Sequence, residues 1–274
     1  MDTEGALLGD LIAVALERGG FDVVDKTGLG PTRIVRAAIL AGQIDIYPEY
    51  TGNGAIFFHL EADPVWRDSS AGYRRVRDLD LAANRLAWLE AAPADNGWGI
   101  AVRADRARER NLASIGDFAR WVGEGGQVKL AASVEFVDSP AALPSFENAY
   151  GFHLTDRQIL ALAGGDTSAT ERAASERTDG VEETMAYGTD GALAALGLVL
   201  LSDDRHAQIV YRPAPVIRAA LLEQHGEVAQ ILNPIFRSLT LETLQRLNAR
   251  IAVDGDDPRA VATDYLTSQG FIGR

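Results

Sequence analysis

The first fifty residues alternate two periodicities, and that alternation constrains the fold more than any other feature of the chain. Leu7, Leu8, Leu11, Ile12 and Ala15 fall on one face of a helix running from a cap at Asp2 or Thr3 to Arg18. Gly19-Gly20 ends it, and Phe21 to Val24 reads as a short strand. Gly28-Leu29-Gly30-Pro31-Thr32 makes a turn, with Pro31 suited to the first position of a helix. That helix carries Ile34, Val35, Ala38 and Ile39 and stops at Gly42, before a second strand at Ile44 to Tyr47. Helix–strand–helix–strand order is the signature of an α/β fold with parallel pairing.

The pattern continues in shorter pieces. Gly99 to Val102, Val128 to Ala132, Gly197 to Leu201 and Gln208 to Val210 read as strands. Leu112 to Trp121 is expected to be a helix capped by Asn111, with further helices at Leu143 to Tyr150, Thr155 to Leu162 and Ala169 to Ser175. The end reads as helical from Ile217 to His225, Val228 to Leu239, Leu241 to Ala249 and Pro258 to Gln269. No repeat of fixed period and no long Pro/Gly/Ser linker separates two consecutive domains.

With 274 residues, 47% of them hydrophobic, the chain can bury one large or two medium cores. A net charge of −13 argues against nucleic acid and anionic membrane surfaces as partners. The absence of cysteine excludes disulfides, thiol nucleophiles and Cys-ligated zinc. No apolar run reaches the ~18 residues of a membrane-spanning helix, and no basic-then-apolar signal peptide stands at the start.

Motifs for catalysis or cofactors are missing. Gly28-x-Gly30 lacks the third glycine of a dinucleotide loop, since Arg33 occupies that place. The four histidines are scattered, and there is no nucleophile elbow, phosphate loop or calcium loop. An enzyme relying on Asp190 or Asp166 would lack a paired nucleophile and base. No cofactor and no metal are expected.

What remains is a set of aromatic residues at element ends. Tyr47-Pro48-Glu49-Tyr50-Thr51-Gly52 puts aromatic faces where an open α/β sheet binds ligands. Trp98 precedes a strand after Asp95-Asn96-Gly97. Tyr187 opens Tyr187-Gly188-Thr189-Asp190-Gly191, and Tyr211 precedes Arg212-Pro213. Core aromatics more often sit inside apolar runs. Aromatic faces suit a cation that has no hydrogen-bond donor of its own.

These motifs, with Gly30-Pro31-Thr32, Trp98 to Arg103 and Ala214-Pro215-Val216-Ile217-Arg218, make the chain resemble the substrate-binding proteins of osmoprotectant ABC transporters, which bind glycine betaine, choline, carnitine or proline betaine. The resemblance spans nearly the whole chain. The Asp2-Thr3-Glu4-Gly5 start is most similar to the YehZ-type subgroup of the ProX/OpuBC-type family. It implies a two-lobe periplasmic-binding-protein fold of type II, with two crossover strands and the ligand in the inter-lobe cleft. Lobe one would comprise residues 1–97 and 212–274, with residues 98–211 inserted as lobe two.

The resemblance also implies an aromatic cage of Tyr50, Trp98, Tyr187 and Tyr211 around a quaternary ammonium group. Trp98 stands where many members carry tyrosine. Asn53 and Ser139 occupy the threonine and arginine positions of betaine-specific members, so the ligand's carboxylate meets hydrogen-bond donors without charge. A lysine that such members place before the first helix has no counterpart. Losing a charge-assisted contact of this kind costs about 1.5–3 kcal/mol. The implied function is capture of a glycine betaine-like osmolyte, weakly held, for delivery to permease and ATPase subunits. Choline, an unrelated small molecule, or ligand sensing without transport are the alternatives. The family implies a periplasmic location after removal of a signal peptide, and a monomer is expected.

Overall fold

The computed structural model describes residues 3–163 and 167–273, so the expected cap at Asp2 and the carboxylate of Asp166 lie outside the described residues. The chain divides into two compact units, one made of the residues up to Asp95 together with those from Val210, the other of Asn96–Ile209. The described residues form eight strands: β1 (Ile46–Tyr50), β2 (Leu86–Trp88), β3 (Trp98–Arg103), β4 (Leu130–Ser133), β5 (Ile159–Leu162), β6 (Glu183–Tyr187), β7 (Leu198–Leu200) and β8 (Pro213–Arg218).

The first unit holds a three-stranded sheet in the order β1-β8-β2, antiparallel throughout. Helix α1 (Thr3–Arg18) ends where the sequence places it and buries Leu7, Leu8 and Leu11 completely. It packs on the C-terminal helices Leu241–Ala252 and Pro258–Ser268, which contribute Leu244, Val261 and Leu266 to the same core. Each leucine so buried contributes roughly 1.5–3 kcal/mol. The following helix, α2 (Thr32–Leu40), starts directly after Pro31, whose fixed φ and missing N–H suit that place.

The expected strand at Phe21 to Val24 is not formed, and the parallel pairing it would have supplied is absent from this sheet. Residues 22, 24–32 and 43–50 instead line a cavity of about 770 Å³. Val24 is 77% exposed, as a segment with no sheet partner leaves it.

The central strand β8 contradicts a simple propensity rule. It carries Pro213 and Pro215, and prolines are usually confined to edges because they cannot donate to the ladder. Here only their carbonyls are needed. Leu89 N donates to the Pro215 carbonyl at 2.9 Å and Ala92 N to the Pro213 carbonyl at 2.8 Å. Pro215 has no N–H to return the bond, and the Leu89 carbonyl accepts from the Tyr73 hydroxyl at 2.7 Å instead. The helix expected from Ile217 accordingly starts later, at Ala219, because Ile217 and Arg218 complete β8.

The second unit holds five strands in the order β5-β4-β6-β3-β7. β4 runs parallel to β5 and β6, whereas β3 is antiparallel to β6 and β7. Its two faces differ. Ile100, Val102 and Leu130 meet Phe118, Phe136 and Phe146 on one side. Ala101, Ala131 and Ala186 admit Ala173 and Ala174 of the helix Thr167–Glu176 close to the other. Three expectations shift here. Ser114, not Asn111, caps the helix Ile115–Gly123 through a capping box, while Asn111 ends the preceding helix in a left-handed conformation. Thr155 to Leu162 is not helical: one short turn is followed by β5, which supplies the parallel edge of the sheet. Gln208 to Val210 forms no strand; Val210 N bonds to the Trp66 carbonyl and Gln208 N to Asp203.

Residues 89–97 and 203–212, through which the chain passes between the units, carry no named strand. Their backbone groups bond to β8, as above, and to side chains such as Asp95, which accepts from Tyr211 N at 2.7 Å.

The Tyr73 contact is testable. Tyr73→Phe leaves the buried Leu89 carbonyl with no replacement for the bond proline withholds. Urea unfolding should show a loss of about 1–3 kcal/mol with an unchanged m-value; a loss below ~0.3 kcal/mol would show that the hydroxyl does not complete the ladder.

Candidate functional site

In the first unit, the aromatic turn is fixed by a buried polar network. Strand alternation in β1 sends Tyr47 and Glu49 inward, where they are 5% and 2% exposed, and leaves Pro48 and Tyr50 on the other side. Asp80, fully buried, pairs with Arg36 through both oxygens at 2.5 and 2.8 Å and accepts from Trp88 Nε1 and Asn84 Nδ2. Arg36 also reaches the Tyr47 hydroxyl at 3.4 Å and lies 4.4 Å from the Phe57 ring centroid. Tyr47 in turn donates to Glu49 Oε2 at 3.2 Å. Glu49 Oε1 accepts from Tyr50 N and Asn53 Nδ2, both at 2.7 Å.

Burial pushes the Glu49 carboxyl up to about 7. The bonds from Asn53, Tyr50 N and Tyr47, and the charge of Arg36, pull the other way without overcoming it. Asn53, at the start of the short helix Asn53–Phe57, is thus tied by its amide group to a buried acid. Gly54 beside it leaves no room for a side chain, since an added Cβ would stand 2.6 Å from Val76 and 2.9 Å from Trp66.

Tyr50 ends β1 and Tyr211 precedes β8, and Thr51 joins these two corners. Thr51 Oγ1 donates to the Val210 carbonyl at 3.0 Å and accepts from Arg212 N at 3.1 Å, while Thr51 N donates to the Arg212 carbonyl at 3.0 Å. Tyr50 and Tyr211 are half-buried. The Tyr50 hydroxyl donates to Glu4 Oε1 at 2.7 Å, and Glu4 Oε2 accepts from Asn248 Nδ2 at 2.7 Å. The 770 Å³ cavity of this unit includes Tyr50 and none of the other expected site residues.

In the second unit, antiparallel register sets Trp98 opposite Tyr187. Their rings stack with centroids 6.3 Å apart and 28° between planes, and the Phe136 ring meets Trp98 edge-on at 6.0 Å. A methyl group needs ~4 Å from each ring it touches, so nothing fits between rings this close. The pair forms one aromatic shelf rather than two walls of a gap. Tyr187 N donates to Asp190 Oδ2 at 2.6 Å, which gives Asp190 a turn-fixing role. Trp98 Nε1 is buried and has no hydrogen-bond partner among the described residues. Ser139 ends the short helix Val134–Asp138, and its hydroxyl oxygen accepts from Ala141 N at 3.4 Å. Among the described residues no group of His, Cys, Asp and Glu is placed to hold a metal ion, and no helix is long and apolar enough to cross a membrane.

The structure therefore places Tyr50, Asn53 and Tyr211 in one unit and Trp98, Tyr187 and Ser139 in the other, with Trp98 and Tyr187 in direct contact. Sequence reasoning missed Glu4, Glu49 and Phe136. The period-two alternation of Tyr47 and Glu49 held the signal for Glu49; Glu4 and Phe136 gave none, because Tyr50 and Trp98, the site residues they touch, lie 46 and 38 residues away.

An α/β chain in two units, with half-buried aromatic rings at strand ends, has the architecture of a solute-binding protein. The chain belongs to the family described as the substrate binding domain of ABC-type glycine betaine transport systems, matched over residues 2–268. It is 53% identical to the glycine betaine-binding protein YehZ of Escherichia coli, over 99% of this chain and 89% of that protein. A glycine-betaine-binding protein of Pseudomonas aeruginosa is 34% identical over 98% of this chain and 86% of its own length. The solved structure of apo YehZ superposes with a TM-score of 0.92, covering 99% of this chain and 96% of that one.

The buried acids carry a pH signature. Burial also raises the Glu183 carboxyl to about 7, against opposing bonds from Lys129 N and the charge of Arg106. Both groups ionise near 4.5 when unfolded and near 7 when folded, so between those values the native state binds more protons. Their contribution to stability is largest below pH 4.5, falls as pH rises to 7 and is level above it. Each contributes on the order of 3 kcal/mol to that fall. Denaturant unfolding from pH 5 to 8 should show Glu49→Gln and Glu183→Gln each flattening the slope by about half; an unchanged slope in both would show that neither acid is protonated in the native state.

Proposed function

We propose that the protein binds a quaternary ammonium osmolyte of the glycine betaine type and delivers it to the permease and ATPase subunits of an ABC transporter. The observation that carries this reading is the Trp98–Tyr187 shelf, with its stacked rings held by strand register, in a chain of this family. A trimethylammonium group has diffuse positive charge and no N–H, so hydrogen bonds give it no hold. Aromatic faces attract it at ~0.5–2 kcal/mol each. We assign Tyr50 and Tyr211 to the same ligand, as the remaining faces of the cage.

Asn53 and Ser139 are assigned to the ligand's polar end. Neither carries charge, and Asn53 already spends a donor on Glu49, which supports a weak grip on a carboxylate. The two units correspond to the two lobes of the fold, and the protein acts by capture rather than turnover. It works outside the cytoplasm, as a monomer, without nucleic acid.

Calorimetric titration tests this directly. Glycine betaine, choline, carnitine or proline betaine should give a saturable signal, and Tyr187→Ala should lower the affinity of whichever binds by tenfold or more, since it removes a face and half of the stacked pair. No signal from any of the four at millimolar concentration would overturn the quaternary ammonium reading.

A further inference from the structure

Thr51 follows Tyr50 directly, and its side chain reaches the backbone on both sides of Tyr211. It is 2% exposed. Strands β1 and β8 pair as far as Tyr50 opposite Pro213, which has no N–H. One residue further, the Thr51 carbonyl turns away and accepts from Gly54 N at 3.1 Å, at the start of the helix Asn53–Phe57. A regular antiparallel rung would need that same carbonyl for Arg212 N. The hydroxyl oxygen takes its place and accepts from Arg212 N at 3.1 Å, while Thr51 N donates to the Arg212 carbonyl at 3.0 Å. The hydroxyl proton goes to the Val210 carbonyl at 3.0 Å. One side chain thus carries the ladder a rung past the point where its own backbone leaves it.

The segment facing Thr51 is anchored elsewhere in the same unit. Val210 N donates to the Trp66 carbonyl at 2.9 Å, Tyr211 N to Asp95 Oδ1 at 2.7 Å, and the Arg212 guanidinium to the carbonyls of Ala91 and Ala92. Those bonds tie residues 210–212 to the body of the unit, whereas the bonds of Thr51 tie them to Tyr50.

We propose that Thr51 is a positioning residue for the ligand: its hydroxyl sets the spacing of Tyr50 and Tyr211, so that both rings are in place before the ligand arrives. The inference deepens the cage reading and rests on Tyr50 and Tyr211 touching the ligand. Restraint present before binding lowers the ordering cost of capture and so raises affinity. Without the hydroxyl, the Arg212 N–H and the Val210 carbonyl lose a partner in a half-buried place, and the backbone on either side of Tyr211 shifts to find another.

The test pairs calorimetric titration with urea unfolding on the full chain, using whichever of glycine betaine, choline, carnitine and proline betaine binds the wild type most tightly. Thr51→Val keeps the shape and removes the hydroxyl, and it should weaken binding about tenfold. Thr51→Ser restores the hydroxyl and should bind within about threefold of the wild type. Thr51→Ala is the second variant without the hydroxyl, should Thr51→Val not fold, and it too should weaken binding about tenfold. Tyr73→Phe serves as the control, since it removes a bond on the β2 side of β8. It should lose stability yet keep its affinity within about threefold. Wild-type affinity in the folded variants without the hydroxyl would overturn the positioning role, and so would a loss in Thr51→Ser as large as theirs. An equal loss of affinity in Tyr73→Phe would trace the effect to a loosened sheet and overturn it as well, in each case with the cage reading intact. No binding of any of the four compounds by the wild type would overturn the cage reading and this inference with it.

Discussion

A buried carboxylate that stays in place only while all its neighbours do is the constraint on which the first unit depends. Glu49 is 2% exposed and accepts from Tyr50 N, Asn53 Nδ2 and the Tyr47 hydroxyl. An acid in such surroundings is costly unless its oxygens are satisfied. The donors must therefore keep their positions, and two of them belong to the turn that presents Tyr50. Arg36, held between Asp80 and the Phe57 ring, ties that turn to α2 and to β2 through Trp88. Removing any one member leaves a charge or a donor stranded among apolar groups, so the network fixes geometry more than it adds net stability.

Much of the fold was legible in the sequence because the periodicity was strong. The helix from Thr3 to Arg18 and the C-terminal helices follow from apolar spacing alone. What was not legible depends on pairing between distant residues. Phe21 to Val24 has strand composition, but a strand needs a partner, and the structure puts a cavity beside it. β8 has the composition of a turn, with two prolines in six residues, yet becomes a central strand because Leu89, Ala92 and Tyr73 make the bonds that proline permits or replace the one it forbids. Thr155 to Leu162 has helical spacing, and the parallel neighbour β4 draws its second half into the sheet. In each case tertiary pairing overrode local preference.

The site was legible to a similar depth. The aromatic residues stood out because they flank glycine, proline and acidic turn residues at element ends. The shelf of Trp98 and Tyr187 then follows from antiparallel register, which a sequence does not print. Asn53 shows the opposite. As a residue type it was a plausible ligand donor, but the structure gives its amide group a partner in Glu49, whose burial the alternation of β1 would have signalled had the acid been weighed as an inward residue.

The two aromatic sets differ in how they are held, and that difference bears on what each can contribute. Trp98 and Tyr187 are fixed by backbone register, by ring contacts that include the edge of Phe136, and by Asp190 at the Tyr187 N–H. Their attraction for a methylated cation comes from the rings alone. Tyr50 is fixed by two acids, one at its hydroxyl and one at its N–H. The first unit thus holds its ring at both ends by acids, the second mainly by sheet register and ring packing. Ring faces recognise the methyl groups of every quaternary ammonium compound alike, whereas charge at a distance distinguishes those compounds by what lies at their other end.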